Sequence, residues 1–62
     1  MYRVTLFSGN LVVRTYENIE SYRYDYNGSP DSYKVLARII LIDDKSRAII
    51  ISENFNWIIE EV

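Results

Sequence analysis

The chain of 62 residues contains no cysteine and no histidine, and only one proline and two glycines. The first two absences exclude disulfides, Cys/His zinc sites, iron–sulfur clusters and c-type haem. Without histidine the commonest acid/base and triad chemistries are also excluded. A chain this short buries only about 60% of the surface its unfolded form exposes. With no disulfide or metal staple, further stabilisation has to come from association with itself or with a partner. The lack of cysteine fits a reducing compartment.

Long apolar runs are missing as well. The longest, Ile39-Ile40-Leu41-Ile42, is far short of the roughly eighteen residues needed to cross a bilayer, and no segment reads as a leader. The expectation is a soluble, cytoplasmic protein without membrane contact. Positive charge is not in excess either: seven Lys and Arg stand against nine Asp and Glu, a net charge of −2. Domains that bind phosphate backbones usually carry a basic surplus, so the balance speaks against nucleic acid. After Arg47 the only charges are Glu53, Glu60 and Glu61.

Catalytic apparatus is absent by the same reading. The two glycines, Gly9 and Gly28, form no phosphate loop. Glu60-Glu61 would alternate across a strand, so the two carboxylates diverge, and no other acids pair at a spacing suited to acid/base work. No loop holds enough carboxylates for a hard cation. The serines have neither His nor Lys in an activating motif. The chain is therefore read as a non-enzyme with no cofactor and no metal site.

What the chain does contain is a half-repeat. Residues 3–24 run strand, tight turn (Ser8-Gly9-Asn10), strand, a Glu17-Asn18-Ile19 corner, strand; residues 38–60 repeat that order through Asp43-Asp44-Lys45-Ser46 and Glu53-Asn54-Phe55. Arg3 coincides with Arg38, Leu6 with Leu41, and the two Glu-Asn pairs with each other once one residue is inserted in the second turn. Residues 2–7 alternate as a strand, and Gly9-Asn10 supplies a hairpin turn into residues 11–16. Tyr22, Tyr24 and Tyr26 alternate with Arg23 and Asp25 as a third strand, and residues 33–42 and 48–52 read as strands too. The polar segment 27–32, which holds the only proline, is the loop between halves spanning about 1–26 and 33–62. In the tail, Phe55, Ile58, Ile59 and Val62 would share a helical face, but two glutamates at the negative end of a helix dipole and the repeat itself favour a strand. The expected fold is a single all-β domain: a small antiparallel sheet or SH3-like barrel of five to six strands, with a short helix at 53–62 as the alternative.

In length and in its Tyr- and Ile-rich strands the chain is similar to many small proteins of phages and mobile elements, and its strand–corner–strand ending is similar to SH3-like barrels. The likeness is one of architecture, and no site residue is carried over from it.

Two groups of residues are candidates for function. Tyr22, Tyr24 and Tyr26 share one face of a strand, with Tyr16 and Tyr33 near in sequence and Arg23 on the opposite face. Such rings pack in the core with their hydroxyls at its rim, form a protein interface, or stack unpaired bases. The reading adopted is a non-enzymatic protein-binding module, a small inhibitor or adaptor, that uses Tyr22, Tyr24, Tyr26 and Tyr33 with Arg23 as a polar anchor. The alternative is a single-stranded nucleic-acid binder that adds Arg3, Arg14, Arg23, Arg38 and Lys34. The second group follows from strands that are apolar on successive residues. Ile40, Ile42, Ile50 and Ile58 are left over once one face is buried, which predicts a homodimer through the second half.

Overall fold

The computed structural model of the protein describes residues 1–27 and 35–62. Most of the expected loop at 27–32, together with Tyr33 and Lys34, lies outside them. The described chain is five strands: β1 (Tyr2–Ser8), β2 (Leu11–Asn27), β3 (Val35–Asp43), β4 (Ala48–Ser52) and β5 (Asn56–Glu61). They form one antiparallel sheet in the order β4-β3-β2-β1-β5. No described residue is helical. The tail is a strand because β1 offers it a complete partner, from Tyr2 opposite Glu61 to Phe7 opposite Asn56. That pairing satisfies backbone groups a lone helical turn would leave open.

The two strands expected on either side of the first corner are one strand of 17 residues. Its N-terminal part pairs with β1 and its C-terminal part with β3. Asn18 adopts φ 56°, a left-handed conformation that asparagine tolerates better than most residues. A register shift at Glu20 follows, between Ile19 and Ser21. Together they turn the strand without breaking it, so the sheet folds over on itself as a small open barrel. Its core is Val4, Leu6, Ile19, Ile39, Leu41 and Ile51, with Tyr2, Tyr16, Ile49, Phe55, Trp57 and Ile59 packed around it. Each fully buried aliphatic side chain contributes about 1.5–3 kcal/mol relative to exposure.

Strand pairing gives the half-repeat a geometric meaning. Val4 lies between Tyr16 and Ile59, as Ile39 lies between Ile51 and Tyr24; Leu6 lies between Arg14 and Trp57, as Leu41 lies between Ile49 and Tyr22. The third strand of each half thus pairs with the first strand of the other, and the halves are related by an approximate two-fold. One detail departs from the sequence alignment. A bulge in β2, between the pairs at Leu6 and Phe7, equalises the two turns. The corners that follow, residues 17–21 and 52–56, are equally long by these pairings, so the two Glu-Asn pairs sit one position out of step. The second corner closes with Glu53 N–H donating to the Ala37 carbonyl and Phe55 N–H to the Ser52 carbonyl.

Both turns use left-handed residues, Gly9 at φ 59° and Ser46 at φ 61°. The second is built around Asp43. Its carboxylate accepts hydrogen bonds from the backbone N–H of Lys45 (2.9 Å) and Arg47 (2.8 Å) and from Arg47 Nε (2.9 Å). Asp43 therefore organises the turn, and those donors hold its pKa below the ordinary 3.8, the Arg47 N–H having the largest effect and burial opposing it.

Candidate functional site

Residues directly opposite in an antiparallel pair share a face, so the register places the tyrosines. Tyr22 is opposite Leu41 and Tyr24 opposite Ile39, and both partners are fully buried. The two rings therefore leave the core on its own side and form its rim, Tyr24 remaining 44% exposed. They belong to a longer row. Tyr2 meets Tyr22 edge-on with centroids 5.1 Å apart, Tyr22 meets Tyr24 at 5.9 Å, and Tyr24 stacks on Trp57 at 6.5 Å and 27°. These spacings are those of attractive aromatic pairs. The last contact bridges the seam where β2 and β5 face each other without pairing. Tyr26 is exposed further along β2, opposite Leu36 and past a second register shift.

Tyr2 and Trp57 were not among the candidates from sequence. The half-repeat held the signal for Trp57, because it lays residues 57–62 over 22–26 and so puts the tryptophan at the position of Tyr22. Tyr2 had no such mark; only the return of β1 beside β2 brings it to the row.

Among the described residues the cations do not gather on this aromatic face. Arg23 is opposite Ile40, on the outer side of the sheet as its alternation with the tyrosines requires. Arg3 Nε bonds Glu17 at 2.9 Å and Arg38 Nε bonds Asp25 at 2.6 Å. The Arg14 guanidinium sits 5.0 Å from the centre of the Tyr16 ring, a cation–π contact toward the opposite seam.

Nor do the four isoleucines form one patch. Ile40, Ile42 and Ile50 share the outer face of β3 and β4, whereas Ile58 is opposite Thr5 on β5, at the other edge of the sheet. Ile50 is 60% exposed and Ile58 53%, but Ile40 only 8%. Ile40 sits on an inner strand between Arg23 and Ile50, whose side chains flank it, while an edge residue has a neighbour on one side only.

Two open clefts run between the N-terminal part of β2 and β4. One, of about 650 Å³, is polar and lies between Arg14–Asn18 on one side and the Asp43 turn on the other. The second, of about 540 Å³, has a mostly apolar lining that includes Leu6, Val13, Ile50 and Phe55, with Arg14 and Ser52 as its polar members. Among the described residues no three metal-ligating side chains cluster, and no helix is long and apolar enough to cross a membrane. Compared with known proteins, the chain matches no protein family, no curated protein and no solved structure.

Proposed function

We propose that the protein is a non-enzymatic binding module that acts as an adaptor or inhibitor by covering part of a partner protein. The observation that carries this reading is the continuous, half-exposed row Tyr2–Tyr22–Tyr24–Trp57 across three strands. Rigid aromatic side chains with one polar atom each supply large contact area at small conformational cost, which is why Tyr and Trp dominate the energetics of protein interfaces. Tyr26 extends the row; Arg23 faces away from it and anchors a partner only if the contact wraps around β2. A single-stranded nucleic acid would be drawn by cations beside the rings, and Arg3 and Arg38 are instead engaged by carboxylates. The absence of cysteine supports a reducing, intracellular setting.

The test is affinity capture from lysate with the wild-type chain beside Tyr24→Ala and Trp57→Ala variants whose circular dichroism matches wild type. A partner held by the wild type and lost by both variants is expected. Recovery of no partner, or of one that both variants retain, overturns the reading. A gel shift with mixed oligonucleotides at low salt, where phosphate contacts are strongest, is expected to show no complex.

A further inference from the structure

The outer edge of β4 has no strand partner within the chain and faces the N-terminal part of β2 only across the two open clefts, and its chemistry is self-complementary. At one end of the β3–β4 hairpin Asp43 N–H donates to the Arg47 carbonyl (3.0 Å), and at the other Glu53 N–H donates to the Ala37 carbonyl (3.1 Å). Hydrogen-bonded pairs alternate along an antiparallel ladder. With Ile39 opposite Ile51 and Leu41 opposite Ile49, Ile49 and Ile51 therefore direct their backbone groups to β3. Ala48, Ile50 and Ser52 direct theirs away from it. The Ser52 carbonyl receives Phe55 N–H, which leaves Ile50 at the centre of the edge with both its N–H and its C=O pointing outward.

We propose that two copies of this chain pair antiparallel through β4 about a two-fold axis at Ile50. In that register Ile50 exchanges both backbone hydrogen bonds with Ile50 of the second copy. Ala48 falls opposite Ser52, and Arg47 falls opposite Glu53, twice by symmetry. The segment Arg47-Ala-Ile-Ile-Ile-Ser-Glu53 is charged oppositely at its two ends about that centre, so the pairing that satisfies the backbone also matches the charges. Arg47 uses Nε on Asp43 and keeps its other guanidinium donors for this contact. On the outer face the apolar group Ile40, Ile42 and Ile50 continues across the axis into its copy.

The rest of the molecule points to the same edge. Exposed edge strands are normally guarded by charge or proline. The β5 edge carries Glu60 and Glu61, whereas β4 has no charged residue and no proline. At the positions equivalent to Ile40 and Ile50, the first half carries the cross-strand pair Thr5 and Thr15. A strand from another protein would meet the same backbone groups, but the charge match is written in this chain. The aromatic row lies at the other seam and stays open in the dimer.

Light scattering after size exclusion, at a protomer concentration of about 100 μM because mass action sets the dimer fraction, is expected to give twice the chain mass of 7.4 kDa. Ile50→Lys should return it to the single-chain mass with unchanged circular dichroism. Glu53→Arg, which sets Arg against Arg at both ends, should weaken the dimer by about tenfold. Since the chain has no cysteine, Ile50→Cys offers a direct reading. The two Cα atoms would be about 5.5 Å apart, within disulfide reach, so oxidation should give a covalent dimer, while Ile58→Cys should not cross-link. A wild-type monomer, a dimer that survives Ile50→Lys, a Glu53→Arg dimer of unchanged affinity, or cross-linking at Ile58 in place of Ile50 overturns the proposal.

Discussion

The two halves of the molecule agree on the face they bury and differ on the face they show. Val4 and Leu6 in β1 match Ile39 and Leu41 in β3, and all four are buried. One row outward the match ends: Thr5, Thr15 and Arg23 of the first half stand where Ile40, Ile50 and Ile58 stand in the second. The inner face is constrained by a shared core in which each half supplies what the other packs against. The outer face is free of that constraint, and there the second half has become apolar beside an unguarded edge. The rim differs too, since Tyr22 and Trp57 are equivalent positions with different rings, and Tyr24 of the first half stands where the second half has Ile59.

The sharpest way to break the comparison is in the core. Leu6→Ala and Leu41→Ala should each cost about 2–5 kcal/mol, measured by urea denaturation, and the two losses should be similar. A large inequality would mean the halves are equivalent in path only. The corners come next. Asn18→Val forces a β-branched residue into the left-handed region and should cost roughly 1–2 kcal/mol. Asn54→Val, at a position without positive φ, should stay within about 0.5 kcal/mol.

The turns should separate under acid. Asp43 has a folded pKa below its ordinary 3.8, so its contribution is present above pH 3.8 and is lost as pH falls through the lower folded value. Thermal melts of the wild type should weaken in that window, and Asp43→Asn should start less stable and show less of this acid dependence; the first turn, Ser8-Gly9-Asn10, has no titrating group to do the same. The smallest effect is expected on the outer face. Ile50→Thr, which copies Thr15, should change the stability of the monomeric chain by no more than about 0.5 kcal/mol, read at concentrations dilute enough to exclude self-association.

How much of this was legible before the structure depends on the residue. Alternation and turn chemistry identified the strands, and the repeat resolved the tail against its helical spacing, since a strand at 57–62 could pair as 22–26 does. Ile40 shows the limit. Its position on an outer face followed from alternation, but its burial depends on Arg23 and Ile50 on neighbouring strands. The continuity of β2 was equally hidden. A Glu-Asn corner bends or breaks a strand depending on whether a neighbour on each side continues the ladder, and β1 and β3 supply it at Asn18 alone.

The sequence by itself determined an all-β chain, its turns, its buried parity and the absence of metal-binding cysteine and histidine, because these follow from residue type and spacing of two. The tertiary structure decided which rings form the aromatic row, which cations are engaged by carboxylates and which edge of the sheet is unguarded. Those are properties of strand order and register, and they bring together Tyr2, Tyr24 and Trp57, or leave β4 at the margin, through pairings between residues far apart in the chain.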